Sequence, residues 1–136
     1  MSMVKSIFLS FDPPDQKYAH LFKNQIKNSN FEIDFFNSAL KVPYRNPKAG
    51  DIKSQIRPMI DNSSVTVCLI GANTFQNDWV DWEIYYSNSV KKGLLGVRIN
   101  TSSLDEVPQR LSSANSLIVN WDPAIISIAI NKVIPS

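Results

Sequence analysis

The run VTVCLIG, residues 65–71, constrains the fold more than any other stretch of this chain. It is almost wholly apolar, rich in β-branched side chains, and ends at Gly71. So short a run is poor material for a buried helix and good material for a strand covered on both faces. Such a strand needs a layer of helices on each side of its sheet, and that requires strands and helices to alternate along the chain.

The flanking sequence supplies the alternation. SIFLSFD (6–12) reads as a first buried strand, closed by the DPPD turn. Tyr18, Leu21, Phe22 and Ile26 recur at helical spacing, with Pro14 suited to a first turn. FEIDFFNS (31–38) is aromatic and partly alternating, as a second strand would be. Ile52, Ile56, Met59 and Ile60 mark a helix face, and Pro58 inside it predicts a kink or a shortened helix. The helix opened by NDWVDWE is expected to run to Lys91 and Lys92. Asp78 would cap it, Asp81 would return the bond, and Gly93 would stop it. LLGVRIN (94–100) and SLIVNW (116–121) read as strands, with a polar loop between them that has room for a turn of helix. Asp122 and Pro123 open a final helix. The expectation is one α/β domain over residues 1–136. Its open, mostly parallel five-stranded sheet carries helices on both faces. Strand 65–71 is central, flanked by 7–12 and by 94–100 or 31–38.

Composition removes several functions. The net charge of +2 is small and its basic residues are scattered, which argues against nucleic-acid or anionic-membrane partners. No apolar stretch approaches the ~20 residues of a membrane span. The N-terminal residues make a poor leader and a good strand. With Cys68 as the single cysteine an internal disulfide is excluded, and a reducing cytoplasm is the default. Neither G-x-G-x-x-G nor G-x-x-x-x-G-K-[ST] occurs, so phosphate cradles of those types are not expected. One cysteine and one histidine make a zinc site implausible. His20 reads as a surface residue and Cys68 as a small buried hydrophobe. A phosphotransfer receiver would need an Asp closing the third strand and a Lys closing the fifth. Those positions hold Gly71-Ala72 and Asn120-Trp121.

In a sheet of this kind ligands bind beyond the carboxyl ends of the strands, near a reversal of strand order. Ser10, Phe11 and Asp12, then Asn37 and Ser38, then residues 72–83 fall at such ends. A pocket lined by Phe11, Asp12, Ser38, Trp79 and Glu83 is expected there. Trp79, Glu83, Tyr86 and Val90 share one helix face by spacing, which sets a carboxylate among aromatic rings. Desolvation there favours the neutral acid unless a hydrogen-bond donor restores the charge, and carboxylates so placed are functional candidates. The plainer reading is that Glu83 reaches water past Trp79, and that Trp79 and Trp82 only pack.

The residues IFLSFD, the pair of elements ending FNS, IRPMIDNSSVTVCLIGANTFQNDWVDWEI and GLLGVRIN together resemble the TIR-like proteins of bacterial antiphage Thoeris systems. The likeness runs from residue 7 to about residue 121, on the flavodoxin-like plan. Its most specific part is SSVTVCLIGANT…WVDWEI, where Trp79-x-x-x-Glu83 looks like the W-x-x-x-E of TIR domains that consume NAD. The resemblance implies that Glu83 is the catalytic residue. It implies NAD as substrate rather than cofactor, and a cyclic ADP-ribose isomer made as second messenger for a separate effector protein. It also implies that the loop from Leu40 to Gly50 serves self-association and gating. The loop and the first strand depart from animal and plant TIR domains. Two alternatives stand beside the enzyme: a non-catalytic adaptor that signals by self-association, and a nucleotide sensor without turnover.

Overall fold

The structure is a computed structural model that describes residues 6–27, 33–37, 42–100 and 104–135. Its elements are β1 (Ser6–Ser10), a 3₁₀ turn (Pro13–Asp15), α1 (Gln16–Lys27), β2 (Asp34–Phe36), α2 (Ala49–Asp61) and β3 (Val65–Ile70). A second 3₁₀ turn (Thr74–Gln76), α3 (Asp78–Ser89), β4 (Gly93–Arg98), α4 (Gln109–Ser113), β5 (Leu117–Asn120) and α5 (Pro123–Val133) complete it. Every strand pair is parallel, in the order β2-β1-β3-β4-β5. This is the order of the flavodoxin-like plan that the family resemblance implied, on the parallel sheet expected from the alternation.

The layers follow from the order. Crossovers between parallel strands are right-handed, so the face a helix takes depends on which way the chain steps across the sheet. The step from β1 to β2 runs opposite to the later steps, so α1 lies on one face and α2, α3 and α4 on the other. β3 shows the division residue by residue. Val65, Val67 and Leu69 join Phe22, Ile26, Ile126 and Ile130 of α1 and α5. Cys68 and Ile70 join Val80, Ile84 and Leu111 of α3 and α4. Phe8 of β1 meets Ile56 and Ile60 of α2 and the rings of Trp79 and Trp82. β3 lies between β1 and β4, and Val67 and Leu69 are fully buried, as the sequence demanded.

Several boundaries differ from the sequence expectation, each for a local reason. α2 runs through Pro58 to Asp61 and is not shortened there. Asn77, not Asp78, caps α3: its side-chain oxygen accepts from the Val80 amide at 3.0 Å. Asp81 therefore does not close a capping box; it pairs with Arg110 at 3.1 Å. Gly93 does not stop α3. Lys91 takes the left-handed conformation at φ 61, the Lys91 amide bonds to Asn88 O, and the Lys92 amide bonds to Ser87 O. Those paired bonds form a Schellman cap built on a lysine. Gly93 instead begins β4 where the Val133 carbonyl oxygen of α5 occupies the space a Cβ would need. The polar segment between β4 and β5 contains α4, closed by a second such cap with Asn115 at φ 52. β2 is described only over Asp34–Phe36, and the remainder of the expected strand lies partly outside the described residues.

Candidate active site

The chain order reverses between β1 and β3, and the two strands end side by side at that switch point. Their register pairs Ser10 with Cys68. α3 follows β3 and packs back across this pair. Its inner face is set by Val80, Glu83, Ile84 and Ser87, all buried. Glu83 thus meets the sheet at the β1–β3 junction, and the Ser10 hydroxyl donates to Glu83 Oε1 at 2.7 Å. Both side chains are 0% exposed. Glu83 does not reach water past Trp79 in this conformation.

The surroundings hold the carboxylate in a dry, fixed setting. Burial and the neighbouring Glu83 carboxylate push the Cys68 thiol far up, so it stays a neutral, inert neighbour. The Ser87 hydroxyl bonds to the Glu83 carbonyl at 2.7 Å and to the Thr66 hydroxyl at 2.7 Å, fixing this turn of α3 to β3. Trp79, 6% exposed, donates its indole N–H to the Val42 carbonyl at 2.6 Å. Tyr44 stands edge-on to Trp79 at 5.1 Å between centroids. The segment after β2 therefore lies on the first turn of α3, with an aromatic series continuing through Trp82 to Tyr86. Lys53 of α2 lies 4.5 Å from the Tyr44 ring centroid and 5.5 Å from that of Trp82.

The expected site residues are placed unequally. Glu83 and Trp79 come together on the α2/α3 side of the sheet. Asp12, half-buried, accepts from the Asn77 amide at 2.6 Å and so ties the end of β1 to the cap of α3. Phe11 is not brought to Glu83. Strand alternation sends it with Ile7 and Leu9 into the α1/α5 core. Ser38 lies outside the described residues, as does the start of the expected gating loop at Leu40. Ser10 and Asn77 were not singled out as lining residues. The signal for Ser10 was present: a lone polar residue ending an apolar strand, in phase with Phe8. Asp15, beside Asp12, packs its carboxyl against Gly71, and its pKa is raised by burial, then by Asp12 and Asp105. Among the described residues, no three His, Cys, Asp or Glu side chains gather so as to hold a metal ion.

A parallel 2-1-3-4-5 sheet with a buried glutamate from the helix after β3, whose first turn is bonded to the segment at Val42, defines a flavodoxin-like, TIR-like domain. Residues 8–103 match the family described as Thoeris protein ThsB, TIR-like domain. The match spans more than half of the chain, and the chain belongs to this family. No curated protein matches it significantly. Among the described residues, no helix is long and apolar enough to cross a membrane.

Proposed function

We propose that this protein is the signalling enzyme of a Thoeris antiphage system, cleaving NAD and making a cyclic ADP-ribose isomer as second messenger for a separate effector protein. The observation that carries the reading is the Glu83 carboxyl, fully buried at the switch point, bonded to the Ser10 hydroxyl and one helical turn from Trp79.

The chemistry needs little more. Breaking the nicotinamide–ribose bond develops oxocarbenium character on the ribose, as in glycoside hydrolysis. Nicotinamide leaves as a neutral ring from a cationic one, so no general acid is required. A single carboxylate near the ribose offsets the growing positive charge and holds the sugar hydroxyls. Aromatic walls receive the planar nicotinamide and exclude water. With water excluded, another nucleophile of the ADP-ribose unit reaches the anomeric carbon first and the product is cyclic. Because the Glu83 side chain has no exposed surface, the reading requires a movement that opens it to substrate.

That same complete burial favours a second reading, a TIR-like adaptor that signals by self-association and never admits NAD. Incubating the protein with NAD, alone and under conditions that promote self-association, separates the two. Nicotinamide and a cyclic ADP-ribose isomer, both lost in Glu83→Gln, support the enzyme. Assembly with no nicotinamide release under any trigger leaves the adaptor.

A further inference from the structure

The sheet ends at β5, and the way it ends is unusual for a free edge. Among the described residues β5 pairs with β4 alone, so one side of Leu117–Asn120 is open. Edge strands are ordinarily blunted by charge, proline or a bulge. The opposite edge, β2, carries the exposed Asp34. The LIVN of β5 has no charge and no proline, and Leu117 is 39% exposed.

α5 extends this apolar edge. Ile126, Ala129 and Ile130 turn inward to the core with Phe22 and Ile26 of α1. Ile125 and Ile128 do not, and are 46% and 59% exposed. Their spacing puts them on one flank of the helix with Lys132. Lys132 and Leu117 line a common surface hollow, so this flank looks out over β5 and away from α1.

We propose that this surface joins two copies of the chain about a two-fold axis, with β5 antiparallel to β5 and α5 beside α5 on one face of a continuous sheet. Three relationships select a second copy as the occupant. The first is spacing. α5 packs on both β4 and β5. Strands lie about 4.8 Å apart, so an axis half a spacing beyond β5 sets the two α5 helices about 10 Å apart, an ordinary helix-packing distance. The second is height. The midpoint of Ile125 and Ile128 lies about 5 Å from the start of α5, and the middle of β5 lies about 5 Å from its end, by the rise per residue of helix and strand. One axis therefore centres both pairings. The third is charge. Antiparallel α5 helices set Ile125 against Ile128 of the second copy and bring the exposed Asp122, the cap of α5, towards the exposed Lys132. Residues 116–121 are uncharged, so self-pairing of β5 meets no like charges. The proposal is independent of NAD cleavage and applies to the enzyme and the adaptor alike.

The test is sedimentation velocity on the purified protein. From about 1 μM to about 1 mM, a range that spans weak interfaces, the weight-average mass should rise from one chain to two and stop there, because a two-fold contact is closed. Ile128→Glu and Leu117→Lys change exposed positions, so both should fold like the parent and stay monomeric throughout. Tyr85→Ser removes a comparably exposed ring on α3, 49% exposed, and should dimerise like the parent. Hydrogen exchange of the 117–120 amides should slow as the parent dimerises and not in Ile128→Glu. A parent that is monomeric over the whole range overturns the proposal and leaves the surface to solvent or to a different partner. Dimers that survive Ile128→Glu and Leu117→Lys overturn it by placing the interface elsewhere. Dimers with unchanged exchange at 117–120 overturn the strand pairing, and growth beyond the dimer overturns the two-fold. Should one of the two variants fail to fold, the other decides.

Discussion

Asn77 and Asp12 are joined side chain to side chain at 2.6 Å across 65 residues of sequence. The contact uses both ends of one amide. The Asn77 oxygen caps α3 through the Val80 amide, and its nitrogen binds the carboxylate that ends β1. Aspartate would cap as well but could not donate, and would set a second carboxylate against Asp12.

Asn77→Asp should therefore lower stability at neutral pH by about 1–2 kcal/mol, the cost of a lost charged hydrogen bond plus repulsion. The deficit should shrink as pH falls through the carboxylate range, because protonating either acid removes the repulsion and restores a donor. Urea unfolding at pH 7 and pH 4 checks this. A deficit equal at both values would show that only the cap had been disturbed.

Glu83→Gln keeps the side-chain shape and removes its charge. If the carboxylate stabilises a cationic transition state, NAD cleavage should fall on the order of 10²–10³-fold. Stability should hold or rise, because a buried charge is not a favourable core group. Asp81→Asn is the contrast. It breaks a half-exposed ion pair with Arg110, and such pairs contribute about 1 kcal/mol or less. Activity should be retained. Nicotinamide release from an active state and thermal unfolding of each variant report the two effects separately.

The turn after α3 places a lysine where a glycine is conformationally easier, and a glycine where only space matters. Lys91→Gly should be near neutral or stabilising by up to ~1 kcal/mol, as left-handed strain of that size is relieved against greater freedom in the unfolded chain. Gly93→Ala should cost more, about 1–3 kcal/mol, because its methyl would displace the Val133 carbonyl and the end of α5. Chemical denaturation of both variants tests the ordering. If Lys91→Gly proves the more damaging, the left-handed conformation is not where the strain lies.

Asp15 supplies a pH dependence. Burial, then Asp12 and Asp105, raise its pKa above the ordinary 3.8. For an acid raised on folding, the native state holds the proton more tightly than the unfolded chain. Stability from this residue is thus greatest below 3.8 and falls as pH rises through the folded value. Asp15→Asn should raise the melting temperature at pH 7 and flatten that fall, while gaining little at pH 3. A variant less stable than the parent at pH 7 would mean that the Asp15 carboxylate makes a net favourable contact.

Local patterning determined much of this protein. The apolar run at 65–71 could only be a doubly covered strand, and its alternation with helical faces at Ile52–Ile60 and Trp79–Val90 fixed a parallel sheet between helix layers. The spacing Trp79-x-x-x-Glu83 also put a carboxylate on an aromatic helix face. Boundaries and partners were decided elsewhere. Asn77 rather than Asp78 caps α3 because Asp12 arrives from β1 to bind the free end of its amide. Gly93 is needed for the approach of α5, a contact no local rule contains. Phe11 and Ser10 are neighbours in sequence, yet strand alternation sends one to the α1/α5 core and the other to Glu83. Which of the two faces carries the site depends on the strand order 2-1-3-4-5, and that order is set by nonlocal packing. Periodicity reports which residues share a face; only the assembled sheet decides what that face meets.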